Sequence, residues 1–321
     1  MNSKNVGSEI MEQSPDTSVG AVRDRAIGAL LGLAVGDAVG TTLEFKVRDS
    51  YTPLTDMIGG GPFGLKPGEW TDDTAMALAL ADSLHTNDAL DEADLLARFV
   101  DWHENGAYSC TGACFDIGVT TRNALQRWQR TGIALAGLTD PETAGNGSLM
   151  RLAPVAIRFW NDPARLRDVA ARQSRTTHQA PAAVDACVAY AEILADAIAG
   201  QSRSVVLRNR DDASWSELIS TVMAGSWRAK SRDVIDASGY VVHSLEASLW
   251  SIDRTSNFKE AVLLAANLGQ DADTTAAITG QLAGALEGVS GIPSWWLSKL
   301  AWRPRITGMA DALFARSIET N

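Results

Sequence analysis

Glycines 28, 32, 36 and 40 recur every four residues inside the apolar stretch DRAIGALLGLAVGDAVG, and this regularity constrains the fold more than any other feature of the chain. Near 3.6 residues per turn, that spacing lays all four on one face of a helix. Each glycine costs roughly 1 kcal/mol of helix propensity relative to alanine, so a bare face makes physical sense where another backbone comes close. Ile27, Leu30, Leu31, Ala34, Val35 and Ala38 recur at helical spacing along the same stretch, with Asp24 placed to cap it. The pattern predicts a buried helix. Near the other end, AAITGQLAGALEG repeats the device with Gly280, Gly284 and Gly288 and predicts a second one.

Between these two stretches, helical periodicity predicts segments at 74–84, 91–104, 117–130, 155–160, 181–198, 215–223, 237–250 and 258–268. Residues 53–70 hold three prolines and five glycines, too many breakers for a helix, and read as a long ordered loop or lid. No clean period-2 run occurs, and the Val-Val-Leu at 205–207 is too short for a strand. The expected fold is all-α: a single compact domain over residues 23–317 behind a flexible extension, residues 1–22, which contains no aromatic residue. That extension reads either as an inert tail or as a partner-binding arm.

Composition narrows the function. With 28 Lys+Arg against 39 Asp+Glu the net charge is −11, which argues against nucleic acid, whose binders neutralise phosphates with cations, and against an anionic membrane surface. Residues 1–22 lack the basic start and apolar stretch of a signal peptide, and no apolar run reads as a membrane span, so the cytoplasm is the expected compartment. Three cysteines without a CxxC pair, and four histidines without HExxH, disfavour a disulfide scaffold and zinc chemistry.

The acidic residues are not spread evenly. Trp70-Thr71-Asp72-Asp73-Thr74 and Gln270-Asp271-Ala272-Asp273-Thr274 each put two carboxylates and a hydroxyl just ahead of an apolar helical run. Both read as N-caps, or together as an oxygen-only site for hard divalent cations such as Mg²⁺ or Mn²⁺. Glu44 follows the first glycine-faced helix, either as a solvated helix-end charge or as a third acidic contributor. Asp116, in SCTGACFDIG, sits among small and apolar neighbours as a helix cap or as a carboxyl of raised pKa suited to proton transfer. Gly145-Asn146-Gly147-Ser148 is a tight turn whose N–H groups can cradle an anion. Neither a P-loop nor a dinucleotide fingerprint is present.

In this order, GALLGLAVGDAVG with Glu44, WTDDTAMALALADSL, CTGACFDIG, GNGSLMRLAPVA, SGYVVHSLEASLW and NLGQDADTTAAITGQLAGALEG resemble the ADP-ribosylglycohydrolase family, most closely its dinitrogenase reductase-activating branch, over roughly residues 23–290. The resemblance implies a mostly helical domain with a cleft holding two divalent cations, Mg²⁺ or Mn²⁺. It implies Thr71, Asp72, Asp73, Asp271, Asp273 and Thr274 as ligands, Glu44 at the metal edge as gate or ligand, and Asp116 as the proton-transfer residue. Gly147, Ser148 and His178 would face the ADP-ribose, and Tyr240 the protein substrate. The implied activity is a metal-dependent hydrolase that removes ADP-ribose from arginine on proteins, making an ADP-ribosylated protein its partner. Hydrolysis of serine-linked or free ADP-ribose derivatives is an alternative. So is an immunity role, in which the chain neutralises a cognate ADP-ribosyltransferase toxin by hydrolysis or by inserting its N-terminal arm.

Overall fold

A computed structural model describes residues 16–319; residues 1–15, most of the segment read as a tail or arm, lie outside the described residues. Fourteen α-helices follow in chain order among the described residues: α1 (Val19–Gly40), α2 (Asp72–Thr86), α3 (Glu92–Asn105), α4 (Val119–Thr131), α5 (Ala153–Phe159), α6 (Pro163–Arg175), α7 (Pro181–Ile198), α8 (Arg203–Val206), α9 (Glu217–Met223), α10 (Val241–Asp253), α11 (Phe258–Ala266), α12 (Ala272–Gly291), α13 (Ser294–Lys299) and α14 (Arg303–Glu319). Three isolated bridges occur among these residues and no sheet, so the all-α expectation holds.

α1 and α12 form the axis, with α2, α5, α7, α10, α11 and α14 packed around them. The glycine faces meet each other. A Cβ on Gly28 would stand 2.3 Å from the carbonyl oxygen of Gly284, one on Gly32 2.1 Å from that of Gly280, one on Gly36 2.1 Å from that of Ala276, and one on Gly40 2.3 Å from that of Ala272. Each advance of four residues along α1 is thus a retreat of four along α12, an antiparallel seam in which backbone touches backbone. This seam carries the C-terminal end of α1 to the N-terminal end of α12, where the acidic residues lie.

Several boundaries move from the sequence reading. α1 begins at Val19, inside the segment assigned to the extension, because Ser18 and not Asp24 accepts from the first turn, through Ala21 N at 3.3 Å. Asp24 instead places its carboxylate where Gly288 (φ 69°), a kink in α12, has no Cβ. Val19–Leu43 is long and apolar enough to cross a membrane by length and composition, contrary to the expectation, yet it is almost wholly buried within the fold. The sequence reading leaves α6 and α14 unassigned, α6 because arginines interleave with its apolar stripe; α14 also carries the domain to Glu319, past residue 317. Residues 205–207 belong to a helical turn and its cap. Residues 53–70 are indeed a helix-free loop, pinned where Leu54 N donates to Asn267 Oδ1 (2.7 Å) and where Gly60 and Leu65 pair.

Candidate active site

Helix starts expose orphan N–H groups that attract carboxylates. Thr71 and Asp271 are the N-cap residues of α2 and α12, yet neither side chain caps its own helix. Other acids do so from a distance. Asp37, in the last turn of α1, accepts from Thr71 N (2.9 and 3.1 Å), Thr74 N (3.0 Å), Thr71 Oγ1 (2.9 Å) and Thr74 Oγ1 (2.6 Å). Glu44, just beyond α1, accepts from Ala272 N (2.8 Å) and Asp273 N (3.2 Å) with a single oxygen. With N–H groups at both helix starts met by Asp37 and Glu44, the carboxylates of the two local clusters are left largely available for another task, Asp273 alone accepting from a neighbouring N–H, Thr274 N at 2.7 Å. Simple N-capping does not explain them.

The clusters converge. Thr274 Oγ1 donates to Asp73 Oδ2 at 3.3 Å across 201 residues of chain, while Thr71 Oγ1 lies 3.3 Å from Asp73 Oδ2 and 3.4 Å from Asp273 Oδ2. Two groups of carboxylates, Asp37–Asp73–Asp273 and Glu44–Asp271–Asp273, each have oxygens within 4.8 Å of one another, and Asp273 belongs to both. Asp73 is fully buried, and its Oδ1 has no hydrogen-bond partner. A buried, unpartnered carboxylate oxygen in an all-oxygen donor set fits a hard divalent cation. Sequence reading missed Asp37; the signal was a lone carboxylate within the otherwise apolar LAVGDAVG.

Burial, then mutual repulsion, controls the charge state of these acids. Burial raises Asp37, Asp271 and Asp273 to about 7, helped by Asp273 for the first two and by Asp116 for the third. Asp72 and Asp73 are pushed well up by burial and then by Asp116 and Asp37 respectively; Glu44 rises through burial and then through Asp273 and Asp271. Six carboxyl groups so placed hold full charge together only against cations.

Above them opens a cleft of about 770 Å³ lined by Glu44, Asp72, Asp116, Gly147, His178, Asp271, Asp273 and Thr274, among others. Thr71 and Asp73 lie just beneath its floor, fully covered. Three non-glycine residues of its wall, Phe45 (φ 60°), Asp116 (φ 62°) and Gln270 (φ 60°), adopt left-handed backbone, a strain concentrated at functional surfaces. Phe45 and Gln270 brace each other through Phe45 N to Gln270 O at 2.8 Å, and Gln270 N returns to Lys46 O at 2.7 Å. Asp116 hangs from an irregular segment three residues ahead of α4, which begins at Val119, two residues later than the 117 that periodicity predicts. Burial lifts its carboxyl to about 6, with Asp273 lowering it and Asp271 and Asp37 raising it further.

The remaining wall is partly as expected. Gly147 lies directly on His178, since a Cβ there would meet the imidazole Cε1 at 2.8 Å. Asn146 donates to Asp271 Oδ2 (2.6 Å) and Ser244 Oγ (2.8 Å), orienting one acid of the floor. Ser148 differs from expectation: its fully buried hydroxyl pairs with Ser174 Oγ at 2.8 Å and turns away from the cleft. The turn's second half is folded into the core because Gln173 Nε2 donates to the Ser148 carbonyl oxygen at 3.0 Å. Tyr240 also stands outside the lining; it stacks edge-on against His243 (5.0 Å) as the N-cap of α10, and Ser238 and Gly239 reach the cleft in its place.

The ADP-ribosylglycohydrolase family model matches residues 18–321. ADP-ribosylarginine hydrolase Tri1 of Pseudomonas putida (strain GB-1) is 49% identical over 294 residues, covering 92% of this chain and 79% of the relative. ADP-ribosyl-dinitrogen reductase glycohydrolase of Rhodospirillum rubrum is 36% identical, covering 92% of this chain and 97% of that protein. A solved ADP-ribosylglycohydrolase-related protein complex superposes with a TM-score of 0.82 at 38% identity, covering 93% of this chain and 99% of that one.

Proposed function

The chain belongs to the ADP-ribosylglycohydrolase family, and from that premise we propose that it hydrolyses the bond joining ADP-ribose to an arginine side chain of a modified protein, with two divalent cations held in its acidic floor. The observation that carries this reading is the pair of carboxylate groups sharing Asp273, beside an unpartnered buried oxygen of Asp73. Asp37, Asp73 and Asp273 are suited to hold one ion and Glu44, Asp271 and Asp273 the other, with Thr71, Thr274 and Asp72 completing the floor. When bound, Mg²⁺ or Mn²⁺ supplies Lewis acidity and a template for ribose hydroxyls and water.

The protein's own groups account for the rest. Asp116 reaches the cleft with a carboxyl at about 6, so a useful fraction is protonated near neutrality and can give its proton to the departing guanidinium nitrogen. The carboxylate-rich floor favours positive charge developing at the ribose carbon as that bond lengthens. Gly147 and His178 form the wall against which the ADP-ribose would lie. The test is to offer arginine-, serine- and cysteine-linked ADP-ribosyl peptides with and without divalent metal. Release of ADP-ribose from the arginine-linked peptide alone, abolished by EDTA and by Asp273→Ala, is the expected result. Undiminished activity in excess EDTA overturns the metal assignment, and preference for the serine linkage overturns the substrate.

A further inference from the structure

Behind the cleft wall lies a buried cation that the mechanism above does not use. Arg151, between the GNGS turn and α5, is fully buried, and its hydrogen bonds go to neutral groups: Nε to Gln173 Oε1 (3.0 Å), and Nη2 to Gln173 O (3.0 Å), Thr176 Oγ1 (3.4 Å) and Thr177 Oγ1 (2.9 Å). Its guanidinium also rests 4.6 Å over the Phe99 ring. Burying a charge on neutral acceptors is costly.

A guanidinium only donates, so the Thr177 oxygen must receive from Arg151. The same oxygen stands 2.8 Å from His178 Nδ1. The threonine proton has one acceptor among its hydrogen-bond partners, that nitrogen; were Nδ1 protonated, the oxygen would accept from both neighbours and its own buried proton would be left with no acceptor, at the cost of an unmade hydrogen bond. Nδ1 is therefore the acceptor and the ring proton sits on Nε2. The Nε2 edge faces the GNG turn, for a Cβ on Gly145 would lie 3.3 Å from it and one on Gly147 3.2 Å. Burial, reinforced by Arg151, holds the imidazole down to about 3, so it stays neutral.

We propose that Thr177, its hydroxyl oriented by Arg151, is a positioning residue that fixes His178 as the Nε2–H tautomer and so presents one neutral donor to an oxygen of the bound ADP-ribose. This rests on the substrate reading above. The test uses the full chain with Mg²⁺. Long-range ¹H–¹⁵N correlation spectra should show His178, assigned by the loss of its signals in His178→Asn, with a protonated Nε2 and an unprotonated Nδ1. Thr177→Val should give mixed protonation and weaken ADP-ribose binding by titration calorimetry about tenfold, the scale of one neutral hydrogen bond, whereas Thr177→Ser should restore both. A protonated Nδ1 in the wild type, or undiminished binding by a folded Thr177→Val protein, overturns the relay. Should the valine variant not fold, the wild-type tautomer decides alone. The spectrum does not depend on hydrolysis, so a failed substrate assignment is separable from a failed relay.

Discussion

Asp37 satisfies both N–H groups and both hydroxyls at the start of α2 while also belonging to one of the two acidic groups, so one side chain builds the floor and helps fill it. Asp37→Asn retains the shape but turns one acceptor into a donor facing groups that also donate. We expect it to weaken Mn²⁺ binding about 10- to 100-fold, the range found when such supporting groups are lost, with the helical circular dichroism intact; unchanged affinity in calorimetry would refute the double role. The acids of the clusters at 71–74 and 271–274 were legible because several oxygen-bearing residues crowd a few positions, more than a cap requires. Asp37 was not, since its partners lie 34 and 37 residues ahead in the chain and only folding shows them. Ser148 was misplaced for a related reason: a turn's sequence announces tightness, whereas which side faces the cleft depends on Gln173 packing beneath it.

At the scale of elements, the glycine seam sets the distance between the two acid-bearing helix ends. Gly32→Ala gains about 1 kcal/mol of helix propensity, but its Cβ would come 2.1 Å from the Gly280 carbonyl oxygen, where only backbone could yield. Overpacking of this kind outweighs the gain, and we expect a net loss of about 1–3 kcal/mol in urea unfolding. Gly20→Ala, on the same helix with nothing within 4 Å of its Cβ, is the control and should leave stability unchanged or slightly raised. Equal behaviour of the two variants would show that the seam does not limit stability. The period-four glycines made both helices legible, as apolar periodicity did for most of the helices that enclose them. That the two bare faces meet was not written locally, because a missing side chain names no partner. α6 escaped because four arginines among thirteen residues mask its narrow buried stripe.

For the whole molecule, the acidic floor couples stability to pH and metal. Asp37, Asp271 and Asp273 titrate near 7 in the folded protein against an ordinary 3.8. Between those values the folded chain holds more protons than the unfolded one, so the metal-free protein gains stability as pH falls through 7. His178, held near 3 against 6.5, acts in the opposite sense once pH drops below 6.5. In EDTA we therefore expect a higher melting temperature at pH 6.5 than at pH 8.5, with saturating Mg²⁺ narrowing the gap; a metal-free protein most stable at pH 8.5 would contradict the picture. The net charge of −11, legible at once as an argument against nucleic acid, hid how much of it is concentrated in one place. The seam between α1 and α12 also has a consequence in time. Thr274 meets Asp73 across 201 residues, and at ribosomal rates of about 5–20 residues per second the nascent chain waits roughly 10–40 s between making one half of the floor and the other. Throughout that interval α1, apolar enough to pass for a membrane span, has no partner for its bare face, so the helix that will organise the site is also the segment most in need of shelter while the chain is being made.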